Sequence, residues 1–494
     1  MNRPLRHIAV FCGVLVLALL ARATWVQFVQ ADELANDPHN RRVKIEAFSY
    51  PRGNIIVGGQ PVTGSVATSG DFKYKRTYKD GPMYAPVTGF ASQAQGTTFL
   101  EGIYNKVLSG KDDRLALKNA KDILTGEKPR GGDVITTIDP KAQKAAYKGL
   151  TDLNAKGAVV ALDPRNGRVL ALASTPSYDP SVFTGISNAE GRKFKALDAQ
   201  KSKPLNNRAL RETYPPGSTF KILTAAAALE HGVVSDINAS SGAPAPYQLP
   251  QSTTKVGNDV AGAPCDKASL KTGMQWSCNN VFLDAALKVG KDKMRETAQK
   301  FGFNENVYDE DLGDLLATKS LYPKQLDKPQ TALTGMGQGS LTSTPMQMAM
   351  VVAGLANDGK VMMPHLVDEV RGSDLSTLEK AEPKMMSQAV SADTAKKVQE
   401  MMEYTVDKGT AEKAAIDGVT VGGKTGTAQH GANVNDERPY AWFVSYAKQS
   451  DGSSPVAVAV FVDPSEMDIP RSEIAGGKLG GPIAKSVMQA VLNK

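Results

Sequence analysis

Apolar residues run from Ile8 to Ala21 and again from Ala23 to Val29, with Arg22 between them and Arg3 and Arg6 ahead. This pattern predicts a helix from about Ile8 to Val29 that spans a bilayer. The arginine pair would lie on the inner side and Arg22 at the outer edge, where a long cation can snorkel. A cleaved signal peptide is the competing reading, because Ala21-Arg22-Ala23 has A-x-A form, but the apolar pattern continues past that point. Either way the bulk of the chain is expected outside the cytoplasm. Residues 30–150 follow as a Gly-, Tyr-, Lys- and Pro-rich module with short β-like pieces around Asn54 to Val57 and Val134 to Ile138. From Gly157 to Leu162 the chain is continuously apolar, Asp163-Pro164-Arg165-Asn166-Gly167 is a run of turn formers, and Val169 to Ser174 is apolar again. That alternation predicts a β-hairpin. A buried helix is expected from Thr219 to Leu229, entered through Pro215-Pro216-Gly217 and stopped at Gly232. Further helices are expected after Asn280, from Pro345 to Asn357 and from Pro482 to Leu492, with paired buried strands at Tyr440 to Ala447 and Val456 to Val462. Strands at both ends of a helical middle make residues 151–494 a mixed α/β domain, preceded by the 30–150 module and a 1–29 anchor.

Composition narrows the class. With 494 residues there is material for two or three domains, and 41% hydrophobic with 22% charged residues describes a folded protein. The net charge of +7 suits a membrane face or an anionic polymer, yet no dense basic run with interleaved aromatics marks a nucleic-acid binder. Cys12 falls in the apolar segment, which leaves Cys265 and Cys278 either as a disulfide or as two buried thiols. The five histidines are scattered and neither C-x-x-C nor H-E-x-x-H occurs, so no metal or other cofactor is expected.

Three short motifs carry the chemistry. Ser218 and Lys221 stand three residues apart at the start of the Ala-rich helix, on one face. A serine hydroxyl needs a neighbour to take its proton, and a lysine kept neutral by burial and by other cations can do so. Ser277-Cys278-Asn279 sets two small polar side chains either side of Cys278: Ser277 to relay a proton to a leaving amine, Asn279 to hold a substrate backbone. In Lys424-Thr425-Gly426-Thr427, an edge strand is expected in which Lys424, Thr425 and Thr427 bind a carboxylate and Gly426 admits the substrate backbone. The N–H groups of Ser218 and Thr427 would form an oxyanion hole. Gly418 to Thr425 also satisfies the phosphate-loop pattern G-x-x-x-x-G-K-T, but Gly426 onward leads into a Gly/Asn-rich loop where that motif requires a helix. A second Lys-Thr-Gly at Lys271 to Gly273 lies too close to Ser277 to be a separate strand.

The trio, in this order, resembles the penicillin-binding proteins and class A β-lactamases. More specific phrases extend the likeness over nearly the whole chain and make it similar to a class B penicillin-binding protein. They are Arg52-Gly53-Asn54-Ile55, Thr137-Ile138-Asp139, the hairpin ending Leu162-Asp163-Pro164, Asn207-Arg208-Ala209 before Tyr214, Gly337-Gln338-Gly339 before Thr344-Pro345, and Tyr440-Ala441-Trp442-Phe443. The resemblance implies a transpeptidase fold, an antiparallel sheet with an all-helical subdomain, mounted on a β-rich pedestal of the dimerisation type. It implies that Ser218 attacks the carbonyl between the terminal D-alanines of a peptidoglycan stem peptide, that a neighbouring amine opens the acyl-enzyme, and that β-lactams acylate the same serine. It also implies lipid-linked precursor strands as substrate and a separate SEDS-type glycan polymerase as partner, in division or in cell-shape maintenance. A D-alanyl-D-alanine carboxypeptidase and a non-catalytic scaffold of the division or elongation complex are the alternatives. A β-lactamase fits poorly, since no Glu-x-x-x-Asn loop stands between Asn279 and Lys424.

Overall fold

The computed structural model describes residues 3–36, 40–115, 130–306, 317–431 and 437–494, together with 118, 124 and 125. At its centre is a five-stranded antiparallel sheet. In chain order the strands are β1 (Lys156–Leu162), β2 (Val169–Thr175), β3 (Thr420–Ala428), β4 (Tyr440–Lys448) and β5 (Val456–Asp463). Their spatial order is β3-β4-β5-β1-β2, so the two ends of the domain meet at the β5–β1 pairing, where Val460 lies opposite Val159. Side chains alternate across a strand, and here both faces are covered, which is why the strands read as unbroken apolar runs. On one face Val159, Ala161, Phe443 and Val460 pack under the Pro140–Asp152 and Gly476–Leu492 helices. On the other, Ala158, Val160, Trp442 and Phe461 join a core with the Lys221–Glu230 and Pro345–Ala356 helices. The expected hairpin, the paired strands and these two helices are all present.

The C-terminal helix departs from expectation. It begins at Gly476, six residues before Pro482, which sits inside it. Glycines and an internal proline disfavour a helix, but contact with the sheet requires a bare surface. A Cβ at Gly476 would lie 1.9 Å from the Trp442 carbonyl oxygen, and one at Gly480 2.6 Å from Phe443 Cβ.

A second five-stranded sheet forms the N-terminal pedestal. Ile55–Val57 pairs antiparallel with Gln60–Pro61 and parallel with Asp133–Thr136, and the sheet is completed by Val367–Arg371 and Thr377–Lys380, contributed from far downstream. Beneath it, fully buried Glu101 takes hydrogen bonds from Arg52 (3.0 Å) and from Arg76. Arg76 also donates to the Gly53 carbonyl at 2.7 Å, and Arg52 to Asn105 at 3.0 Å. One carboxylate between two guanidinium groups fixes the Arg52-Gly53 segment ahead of the Ile55–Val57 strand. At the other end, Arg3–Phe28 is a 26-residue helix with no buried residue, long and apolar enough to cross a membrane.

Removing Glu101 strands two buried guanidinium groups. Glu101→Ala is expected to lower unfolding free energy by about 3–5 kcal/mol, read by chemical denaturation; a loss under about 1 kcal/mol would show that water replaces the carboxylate.

Candidate active site

The segment before the first motif is held from three sides. Tyr214 exchanges backbone hydrogen bonds with Ser343 (2.9 and 2.8 Å), Trp442 Nε1 donates to the Pro215 carbonyl (3.0 Å), and Gly217 N donates to the Gly337 carbonyl (2.9 Å). Gly217 has a φ of +54°, and Gly337 approaches so closely that a Cβ would sit 2.0 Å from the Gly217 oxygen. This packing accounts for the glycine at 337. Ser218 therefore sits in a short 3₁₀ turn, Gly217–Phe220, which runs directly into the Lys221–Glu230 helix. Ser218 is 6% exposed, whereas Lys221 and Lys424 are 0% exposed.

The second motif is shaped by its backbone. Ser277 ends the Leu270–Trp276 helix in a left-handed conformation, φ +59°, and Asn279 opens the next helix, Asn279–Val289. That reversal points both side chains at the Ser218 helix. Cys278, between them, is bonded to Cys265, which resolves the choice between disulfide and free thiols. The third motif lies on edge strand β3, so the phosphate-loop reading fails: the backbone is extended through Lys424 and beyond. Lys271, from the second Lys-Thr-Gly, sits on a helix and pairs with Glu400 at 2.7 Å.

The three motifs converge. Lys221 Nζ donates to the Ser277 carbonyl (2.7 Å), to Ser277 Oγ (3.2 Å) and to Asn279 Oδ1 (2.7 Å). Lys424 Nζ donates to Ser277 Oγ (2.9 Å) and to the Thr425 carbonyl (2.9 Å). The Ser277 hydroxyl thus lies between the two amines. Beside them, Gly426 lies against the first turn of the serine helix, with Thr219 N only 3.1 Å from where a Cβ would be, and the Thr427 carbonyl lies 2.8 Å from the corresponding point on Gly217. The backbones of Ser218 and Thr427 thus flank one cleft.

Burial pushes Lys221 down to about 7, opposed by the charge of Asp259. Burial also drives Lys424 well below the usual lysine range, and the neighbouring Lys221 drives it further, again against Asp259. Among the described residues no carboxylate makes an ion pair with either amine. Two buried amines so placed favour a state in which at least one is neutral.

Three features of the site had no signature in the motifs. Thr425 Oγ1 is hydrogen-bonded to Thr410 Oγ1 (2.9 Å), so its hydroxyl is shared with a loop ahead of the strand. Asn279 is engaged at both ends: Nδ2 donates to the Gly257 carbonyl (2.8 Å), and its backbone N–H to Asn258 Oδ1 (2.6 Å). Asp259, next along that loop, supplies the one negative charge felt by both lysines. Only the breaker-rich character of the 255–260 stretch hinted at a loop here.

The comparisons agree with this geometry. Residues 157–489 match the family model described as penicillin binding protein transpeptidase domain. This chain belongs to that family. Residues 52–134 match a second model, penicillin binding protein A dimerisation domain. The peptidoglycan D,D-transpeptidase PbpA of Mycolicibacterium smegmatis is 39% identical over 501 residues, covering 100% of both chains. PbpA of Mycobacterium tuberculosis is 38% identical over 499 residues, covering 100% of this chain and 99% of that protein. The structure of M. tuberculosis penicillin-binding protein A as a ceftriaxone acyl-enzyme superposes with a TM-score of 0.85 at 36% identity, covering 91% of this chain and 100% of the other. Its penicillin G acyl-enzyme gives 0.81 at 36% identity, covering 90% and 100%. The class B resemblance and the transpeptidase fold are thereby borne out.

Gly426 is a point of close approach between the strand and the serine turn. A Cβ there meets Thr219 Cγ2 at 2.9 Å and Trp442 Cβ at 3.1 Å, which forces the strand away from the serine turn. Gly426→Ala is expected to slow covalent labelling by a fluorescent penicillin by about a hundredfold, the cost of a misplacement near 1 Å, while the protein still melts cooperatively. Unchanged labelling would mean that the strand does not set the geometry at Ser218.

Proposed function

We propose that this protein is a serine D,D-transpeptidase that cross-links peptidoglycan stem peptides, with Ser218 as nucleophile. The observation that carries the reading is the meeting of two buried lysine amines on one serine hydroxyl beside the turn that presents Ser218. Neutral Lys221 takes the Ser218 proton as Oγ bonds to the carbonyl carbon between the two terminal D-alanines. The negative charge that develops on the carbonyl oxygen is met by the N–H groups of Ser218 and Thr427, each such donor supplying about 3–4 kcal/mol. Collapse breaks the peptide bond, and the departing D-alanine nitrogen receives its proton through Ser277. The acyl-enzyme is then attacked by a side-chain amine of a second strand; its surplus proton passes through the same relay to Ser218 Oγ as the ester bond breaks, which restores the serine hydroxyl. Lys424, Thr425 and Thr427 hold the terminal carboxylate, and Gly426 admits the donor backbone. Asn279 positions that backbone once its Nδ2 is released from Gly257. A β-lactam presents the same carboxylate and carbonyl, and its ring-opened product stays on Ser218.

The division at residue 150 belongs to the same proposal: residues 30–150 form the pedestal and 151–494 the catalytic unit, with the 367–380 strands tying one to the other. The Arg3–Phe28 helix anchors the protein in the cell membrane with the catalytic unit outside. At 1.5 Å per residue it is about 39 Å long, enough for a hydrocarbon layer of about 30 Å. Arg3 and Arg6 orient it, and the Cys265–Cys278 bridge suits an oxidising compartment. A SEDS-type polymerase that makes the glycan strands is the expected partner.

Mass spectrometry of penicillin-treated protein is expected to map the adduct to the peptide holding Ser218 and to find none in Ser218→Ala. Absence of any adduct in the wild type would favour the scaffold alternative. The pH dependence has a definite sign. Lys221 is protonated and useless as a base below its pKa, so acylation should rise with pH through about 7 and level off above it. Asp259 holds both amines up, so Asp259→Asn should move that limb to lower pH. A profile flat across this range would remove Lys221 as the base, and an unmoved limb in the variant would remove Asp259 from its field.

A further inference from the structure

Gln338, in the Gly337-Gln338-Gly339 phrase, spans two parts of the site. The turn that carries it is fastened to the serine segment in two places. Gly217 N donates to the Gly337 carbonyl (2.9 Å), and Thr224 Oγ1, on the Lys221–Glu230 helix, donates to the Gly335 carbonyl (2.9 Å). The half-buried Gln338 side chain reaches the other way, to the end of β3. With its amide oriented so that nitrogen meets oxygen, Nε2 donates to the Gln429 carbonyl at 3.2 Å and Oε1 accepts from the Gln429 N–H at 3.1 Å. This pair of bonds repeats what a neighbouring strand would offer, one residue past the end of β3. Between these anchors the segments touch: a Cβ on Gly217 would lie 2.8 Å from the Thr427 carbonyl oxygen and 2.9 Å from Ala428 Cβ.

The two N–H groups assigned to the oxyanion belong to different segments, Ser218 to the turn and Thr427 to an edge strand. Thr427 pairs with Ala441 of β4, and the ladder ends one pair later, at Ala428 and Tyr440. Beyond it, His430 stacks on Tyr440 at 3.8 Å and its Nε2 meets the Arg438 carbonyl at 2.8 Å, which holds the loop to itself and to β4. Gln338 instead ties the strand end to the turn. Donors to an oxyanion must be placed to a fraction of an ångström to act.

We propose that Gln338 is a positioning residue for the oxyanion hole: by tying Gln429 to the turn bonded to Gly217, it sets the gap between the N–H groups of Ser218 and Thr427. The inference rests on Ser218 as nucleophile and gives Gln338 no part in proton transfer or substrate contact. Its effect falls on the transition state, where charge has developed on the oxygen, and little on the noncovalent complex.

Stopped-flow acylation of the full-length protein in lipid nanodiscs by a fluorescent penicillin separates the noncovalent dissociation constant from the limiting acylation rate. Gln338→Met keeps the length of the side chain and removes both hydrogen bonds; Gln338→Ala removes the side chain as well. Each is expected to lower the limiting rate about tenfold. The noncovalent constant should stay within about twofold, and melting should stay cooperative. In the acyl-enzyme, the infrared band of the ester carbonyl should move to higher frequency, because misplaced donors polarise it less. A wild-type rate in Gln338→Met, parallel loss in both constants, or an unmoved carbonyl band overturns the inference. A wild type that forms no adduct defeats the reading of Ser218 and this inference with it. A wild type that labels, beside an unaffected Gln338→Met, defeats this inference alone.

Discussion

Two lysine amines, both removed from water, share the hydroxyl of Ser277, and among the described residues no carboxylate is in direct contact with them. Burying an ammonium is costly unless it is paired and hydrogen-bonded, and the usual escape is loss of the proton. That escape is what acyl transfer requires. A neutral amine beside a serine is a base, and a residual positive charge nearby attracts a carboxylate. The rest of the domain holds this unfavourable arrangement in place.

Rigidity comes from the sheet and from absent side chains. β3 is an edge strand, yet one face of it is pinned by the serine turn and the other by the C-terminal helix. Gly426 and Gly476 make this possible, because each would drive a Cβ into backbone or a packed side chain. The serine turn is fixed in its turn by Gly337 and Ser343 from one segment and by Trp442 from another, both far from it in sequence. Displacement of any one of them would be felt at Ser218.

The pedestal shows the opposite electrostatic solution. Around Glu101 two guanidinium groups enclose one carboxylate, and the backbone and side-chain acceptors nearby take up several of the remaining donors. In that cluster each guanidinium has a carboxylate in contact, and together they hold the segment leading into the Ile55–Val57 strand. The lysine pair has no such partner among the described residues, and it is the pair to which we assign the proton transfers. Direct contact with a carboxylate thus separates the pedestal cluster from the lysine pair within a single chain, although both are buried.

Sequence alone determined the elements whose signals are local. The β1–β2 hairpin, the β4 and β5 strands, the Lys221–Glu230 helix and the order of the three motifs could all be read from apolar runs, turn formers and helix starts. Those signals report what a short segment prefers by itself. Tertiary structure decided everything that depends on one segment meeting another. The C-terminal helix runs through Pro482 because the sheet needs its glycines, and residues 367–380 pair with a sheet begun 300 residues earlier, near Ile55. Ser277 adopts a left-handed turn that no residue preference demands, and Thr410, Gly257 and Asp259 reach the site only through packing. A contact between distant segments leaves no period in either of them, so only the folded chain shows which amines share a hydroxyl.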